Sequence, residues 1–412
     1  MMKSHFQFGF LPILILLIGL GSILITTLSP RDIGVDDMYE SVQTSPIADN
    51  AGRALIGIIL VICGFKILTV AHQGKVPSAG SGILFYYLLF FFCTILITAV
   101  VGRGDFDIRL LYAPIIFTAV YFTRPIPMAQ LLFLSKLILL AYIYGSLLAA
   151  VLAPSWALGS GYVSILPSVD TRLFGVSTQA NQLGPLTAAY LVMELFSPTR
   201  SRLRNIHLMA ALFVLLWTQS KTSWVFVLLT IMYFVFIKVE RALFPQSNSR
   251  MNYTKLVFYC LGIVVSVVLV AMLINLVPVS SGSGVETLTG RTVIWAITLN
   301  AWADNPIFGY GLSLWDMDFR TQYGMPFAGQ AHNQFIHTLG SSGLVGLFGL
   351  LIYLGALAKR AINAAKVNPV ALALLILIVV ECITEAPLRN GNILTGFFFL
   401  QLLLFTQLRS YK

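Results

Sequence analysis

Charge is scarce in this chain. Asp, Glu, Lys and Arg make up 10% of its 412 residues and hydrophobic residues 58%, a balance that excludes an ordinary soluble domain. Acid is the rarer sign, with 16 Asp and Glu against 26 Lys and Arg, a net charge of +10. The basic residues are scattered over short connections between apolar runs and form no patterned patch. They therefore read as orientation signals facing anionic cytoplasmic lipid, and nucleic acid is excluded as a partner. The four cysteines, Cys63, Cys93, Cys260 and Cys382, have neither paired spacing nor a His ligand pattern beside them, so they are expected to pack rather than to bridge or bind metal. No fixed-period repeat is evident, and low-complexity sequence is confined to Ser280–Gly284.

Long hydrophobic runs are what the chain has instead. They lie near 8–28, 54–72, 82–101, 108–123, 128–151, 181–197, 205–218, 223–238, 255–277, 338–357, 368–384 and 391–408, about twelve segments of membrane-crossing character. The expected fold is all-α and polytopic, embedded in a lipid bilayer. The first run follows Lys3 and has no small-residue cleavage site before Ser29 and Pro30, so it is expected to remain as the first span. Three parts follow: 1–277 with nine spans, a large outer loop over 278–337, and 338–412 with three more spans.

One set of alternate loops carries Lys75, Arg124, Arg200, Arg202, Arg204, Lys238, Arg241, Arg250, Lys255, Lys359, Arg360 and Lys366. By the positive-inside rule this side is cytoplasmic, with both termini. The opposite loops hold most of the acids, including Asp32, Asp36, Asp37, Glu40, Asp105, Asp107 and Asp170. Four cations lie on that outer side against the orienting bias: Arg172, Lys221, Arg291 and Arg320. Each is read either as a local salt bridge or as part of a site for an anionic ligand.

The stretch Pro278–Gly343 is a polar and aromatic island, and irregular backbone of this kind must leave the lipid or line a wet cavity. Thr289 is a plausible N-cap for a helix over 290–303, which puts Arg291 in a first turn that already favours an anion such as a diphosphate. The alternative pairs Arg291 with Glu286 or Asp304. His332 and His337 are five apart and do not share a helix face as a zinc pair does. His332, with Asn333, stands at the start of an outer-face helix, where it is either a cap or a base for a sugar hydroxyl. Asn181 and Lys221 have the bland readings of cap and snorkelling anchor. Glu385, beside Glu381 at the outer end of a span, is expected to counter one of the arginines. The loop aromatics Trp295, Trp302, Phe308, Tyr310, Trp315, Phe319, Tyr323 and Phe327 suit an interfacial belt or sugar stacking.

The segments LTGRTVIW, NPIFGYG and AHNQFIHTLGSSGLVGL, preceded by RLFGVSTQANQLG and TQSKTS, closely resemble the signature of the bacterial O-antigen ligase and polysaccharide polymerase (Wzy-type) family. The resemblance spans roughly 171–347. It implies a glycosyltransferase of the type C class, metal-independent and without cofactor, acting on glycans carried by polyprenyl diphosphate (undecaprenyl diphosphate). It places the site on the periplasmic face of the bacterial inner membrane, with the family's diphosphate-binding arginine on Arg291 and its catalytic histidine on His332. The family's upstream arginine and asparagine fall on Arg172 and Asn181. Its second basic position holds Lys221, where ligases usually have arginine, and this departure points to a repeat-unit polymerase working with a chain-length regulator. Ligation of finished glycan to lipid A core or protein is the alternative within the enzyme class, and transport of a lipid-linked oligosaccharide the alternative outside it.

Overall fold

A computed structural model describes residues 9–31, 45–74, 82–104, 106–160, 169–196, 202–243, 288–325, 328–365 and 367–409. It is mostly helical. The helices are α1 (Phe10–Leu28), α2 (Pro46–His72), α3 (Ile83–Val101), α4 (Ile108–Tyr121), α5 (Met128–Leu152) and α6 (Ala180–Phe196), then α7 (Arg204–Thr218) and α8 (Lys221–Leu243). After residue 287 come α9 (Leu288–Ala303), α10 (Met317–Gln322), α11 (Gln334–Ala365), α12 (Pro369–Thr384) and α13 (Gly396–Leu408). The apolar runs coincide with helices except 255–277, which lies outside the described residues together with Cys260. Among the described residues, α1, α2, α3, α5 and α11 are long and apolar enough to cross a membrane, and α4, α7, the first part of α8, α12 and α13 are shorter apolar helices.

The centre is α6, packed on α5, α7, α8, α12 and α13. Its residues from Leu183 to Glu194 are all buried, as expected of a helix that is apolar on every side. Pro185 lies in its second turn and removes the N–H that would have bonded the carbonyl of Asn181. Cys63, Cys93 and Cys382 are buried and unbridged, as packing residues should be. The last run starts its helix later than hydropathy suggested, because Thr395 caps it through a bond from the Phe398 N–H at 3.1 Å.

Two of the signature segments are built for each other. The backbone of NPIFGYG docks on a kink in α11, with Tyr310 N–H on Gly340 O at 2.8 Å, Gly311 N–H on Ser341 O at 3.0 Å, and Leu344 N–H on Pro306 O at 2.9 Å. The kink is Gly343, at φ 61° and ψ −159°, a region open essentially to glycine alone. A Cβ there would come within 2.3 Å of the Ile307 carbonyl oxygen. A π turn over Phe92–Leu96 in α3 meets the same kink, its Thr94 carbonyl accepting from Ser342 Oγ at 2.9 Å. Gly343→Ala is therefore expected to destabilise the protein by more than about 3 kcal/mol. The check is the loss of monodisperse protein in detergent and a lowered Tm.

Candidate functional site

Glu385 closes α12 on extended backbone and is 1% exposed. Its Oε1 accepts from Asn181 Nδ2 at 2.8 Å and lies 3.4 Å from Arg291 Nη2. Its Oε2 accepts from Gln330 Nε2 at 2.7 Å and is 3.1 Å from His332 Nδ1. Four donors from three separate stretches of chain thus surround one carboxylate. Burial by itself would raise the Glu385 carboxyl, but His332, Arg291 and Asn181 together outweigh it and hold the group below its ordinary range. An ionised carboxylate can only accept, so Nδ1 of His332 is the nitrogen that donates to it, and in the neutral form of the ring Nε2 is the acceptor.

The upstream segments reach this carboxylate through a small sheet the hydropathy pattern does not announce. Strand β1 (Leu158–Ser160) pairs antiparallel with β2 (Thr171–Leu173), Gly159 opposite Arg172. The turn between α7 and α8 then grips β2: Trp217 Nε1 donates to Thr171 Oγ1 at 3.2 Å, and Gln219 Nε2 to Thr171 O at 3.1 Å. Gln219 takes φ 51°, ending α7 in the left-handed region. Arg172 is 9% exposed; its Nε donates to Thr218 O at 2.8 Å and its Nη2 to Asn181 Oδ1. Asn181 therefore links Arg172 to Glu385. Lys221 begins α8 one residue past this turn and is half-buried. Arg31 clamps the loop between Arg172 and Asn181, donating to Trp156 O, Gly175 O and Ser177 O at 3.2, 3.2 and 2.6 Å while lying over the Trp156 ring.

Downstream, α9 begins at Leu288, ahead of the start expected after Thr289, and Arg291 stays in its first turn. Its carboxylate partner is Glu385 rather than Asp304; Glu286 lies outside the described residues. Trp295, one turn along the same face, donates its Nε1 to the Ala331 carbonyl at 2.9 Å, just before His332. His332 has φ 48°. Asn333 starts α11, its Oδ1 accepting from the N–H groups of Phe335 and Ile336 at 2.9 and 3.0 Å, and its Nδ2 donates to Ile383 O at 3.0 Å. The aromatics divide in use. Trp315 and Phe319, each 3% exposed, form a local core with Ile294 and Leu314, whereas Tyr323 stays exposed.

Arg172, Asn181, Arg291, His332 and Glu385 thus form one connected network, with Lys221 and Asn333 on the adjoining helix starts. Gln330 and Trp295 belong to it as well. Glutamine in a loop carries little signal, but the four-residue spacing of Arg291 and Trp295 was open to reading. One turn earlier on α12, the buried Glu381 accepts from Ser223 Oγ at 2.9 Å, and Thr222 bonds Thr384 at 2.8 Å, fixing α8 to the end of α12. Among the described residues no group of three or more His, Cys, Asp or Glu side chains is placed to hold a metal ion. The arrangement presents an imidazole with a fixed tautomer beside a cation in a helix first turn, which suits removal of a proton next to a bound anion.

An integral membrane protein with a buried cation, carboxylate and imidazole network is the class that these features define. Residues 206–351, about a third of the chain, match the family described as O-antigen ligase (Wzy_C), which supports the O-antigen ligase and Wzy-type family resemblance read from the motifs. No curated protein matches the chain. The matched segment includes Lys221, Arg291, His332 and Asn333; Arg172, Asn181 and Glu385 join it only through the fold. The family supports a glycan ligase or polymerase type of function and does not separate the two.

Proposed function

We propose that this protein is a polymerase joining oligosaccharide repeat units carried on undecaprenyl diphosphate, at the outer face of the bacterial inner membrane. An acceptor hydroxyl attacks the anomeric carbon and loses its proton to His332 Nε2. The C–O bond to the diphosphate breaks, the lipid diphosphate leaves with its electron pair, and the configuration inverts. Arg291, with Lys221 and the Arg172–Asn181 pair behind it, meets the charge on the leaving group without a metal or cofactor. The observation that carries this reading is the meeting of Arg291 and His332 on opposite oxygens of Glu385. A diphosphate is already a good leaving group, so positioning, charge stabilisation and proton removal are the work left to the protein.

The orientation has its own support. The network gathers at the start of α6, the end of α7, the start of α8 and the end of α12, while Arg204, Lys359, Arg360 and Arg409 lie toward the other ends of their helices. With twelve spans, the positive-inside rule turns the network to the periplasm. Lysine at 221 keeps charge without the bidentate fork, and this favours polymerisation, with a chain-length regulator as partner, over ligation.

Arg291→Ala is expected to lose about 2–4 kcal/mol of transition-state stabilisation. Disruption of the gene separates the readings: single-repeat glycan signifies a polymerase, bare lipid A core a ligase. Movement of labelled carrier lipid without bond formation signifies a transporter. Wild-type polymer made at the normal rate by Arg291→Ala would reject the role given to this side chain.

A further inference from the structure

At the end of the bundle away from Glu385, the last turn of α13 meets the connection between α4 and α5. Pro125, Ile126, Met128 and Leu131 on one side, with Thr406, Gln407 and Arg409 on the other, line a cavity of about 120 Å³. A buried water needs about 10–15 Å³ of such space, so a larger group can be held there. Thr406 Oγ1, Gln407 Nε2 and Arg409 Nε are all buried and have no hydrogen-bond partner among the described residues. Thr406 and Gln407 are 6% and 1% exposed, too little for bulk water to serve them. Buried polar atoms are nearly always paired, so three of them within one turn, at one cavity, point to a partner that the chain itself does not supply.

The bonds these side chains do make decide what that partner must offer. Gln407 Oε1 accepts from Asn368 Nδ2 at 2.9 Å, which leaves Nε2 as a donor. Arg409 caps the end of α4, its Nη2 donating to Arg124 O at 3.1 Å and its Nη1 to Val120 O, and Nε is left as a further donor. A helical threonine commonly bonds the carbonyl four residues back, as Thr94 and Thr187 do at 2.8 Å. Thr406 does not, and its hydroxyl is free to donate. Burial pushes the half-buried Arg409 guanidinium down to about 10, with no described carboxylate offsetting its charge. Three donors, one of them on a cation without a counter-ion, suit an occupant that is negative and rich in acceptor oxygens.

We propose that this cavity binds a phosphoryl group, whose oxygens accept from Thr406 Oγ1, Gln407 Nε2 and Arg409 Nε. A lipid headgroup and free phosphate share that chemistry; the apolar walls suit the glycerol end of a lipid, whereas a free ion uses the donors alone. Occupancy ties the end of α13 to the α4–α5 connection and, through Asn368, to the start of α12. The site lies at the opposite end of the helices from the Glu385 network, so it stands whether or not the chain joins glycans.

The experiment uses the full chain in dodecyl maltoside, a detergent without phosphate. Sodium phosphate is titrated against sodium chloride of equal ionic strength, and dihexanoyl phosphatidylglycerol against dihexanoylglycerol, with Tm and native mass spectrometry as readouts. Wild type is expected to bind the phosphatidylglycerol at least about ten-fold more tightly than the diacylglycerol, the effect of a charge-assisted bond. Gln407→Glu keeps an acceptor for Asn368 and turns the donor into a negative oxygen beside Arg409. It should be as stable as wild type without phosphate and should lose the preference. Thr406→Val, nearly isosteric, should weaken the preference and decides the matter if the glutamate variant does not accumulate. Arg291→Gln should keep it, which separates this cavity from the proposed diphosphate site. A response to phosphatidylglycerol alone assigns the site to a lipid headgroup, and a response to sodium phosphate assigns it to the free ion as well; either supports the proposal. Wild type that does not distinguish the phosphate-bearing probes from their controls overturns it, since the cavity then holds water only. So does a preference that survives Gln407→Glu and Thr406→Val, or one that only Arg291→Gln removes.

Discussion

His332→Gly is expected to fold at least as well as wild type and to form glycosidic bonds about 10²–10⁴-fold more slowly, the usual range for loss of a general base. The two halves of this expectation come from different atoms. The backbone at His332 has φ 48°, where a side chain costs roughly 1–2 kcal/mol and glycine costs none. The ring bonds Glu385 through Nδ1, so its removal takes one donor from a carboxylate that keeps Asn181, Arg291 and Gln330. Stability should therefore hold or rise while the proton acceptor is lost. His332→Ala keeps the backbone strain and serves as the control, equally inactive and slightly less stable than the glycine variant. The measurements are Tm in detergent and the rate of product formation from a lipid-linked glycan. A glycine variant with wild-type turnover would remove the imidazole from the mechanism; one that fails to accumulate would mean that the ring is needed mainly for structure.

The parts of this site differ in how plainly the sequence carries them, and the reason is range. Helix positions follow from local hydropathy, so α1 to α8 and α11 to α13 lie close to where the apolar runs stand. Arg291 in a first turn, and His332 beside a helix start, are also local facts and could be read directly. Glu385 was legible as a counter-charge but not as a hub, because its bond to Asn181 joins residues 204 positions apart. The β1–β2 pair was missed since its three-residue strands are too short for an alternating pattern. The glycines of NPIFGYG and SSGLVG read as turn or helix residues; that they let two backbones meet is visible only once Gly309 stands against Gly343. Part of the family signature is thus packing rather than chemistry.

Glu385→Gln is expected to be nearly as damaging as Glu385→Ala, although it preserves shape. All four neighbours of the carboxylate donate: Asn181 Nδ2, Arg291 Nη2, Gln330 Nε2 and His332 Nδ1. A glutamine offers one acceptor oxygen and turns its own N–H groups on the remaining two donors. The Arg291 guanidinium then loses its buried counter-charge, and breaking such a pair from one side costs about 3–5 kcal/mol. Lower Tm and activity reduced by at least about 10²-fold should follow together, since the tautomer of His332 is no longer held. The pH dependence of wild type has a definite sign. Because the Glu385 carboxyl is held below its ordinary value, its contribution is complete above that ordinary range and is lost as pH falls through the lowered one. Acid should therefore destabilise wild type more than Glu385→Gln, and the two Tm curves should converge at low pH. Combining Glu385→Gln with His332→Gly tests whether the carboxylate acts through the ring: activity in the double variant should match His332→Gly alone rather than fall by the product of both losses. Multiplying losses would instead mean that Glu385 serves chiefly to place Arg291.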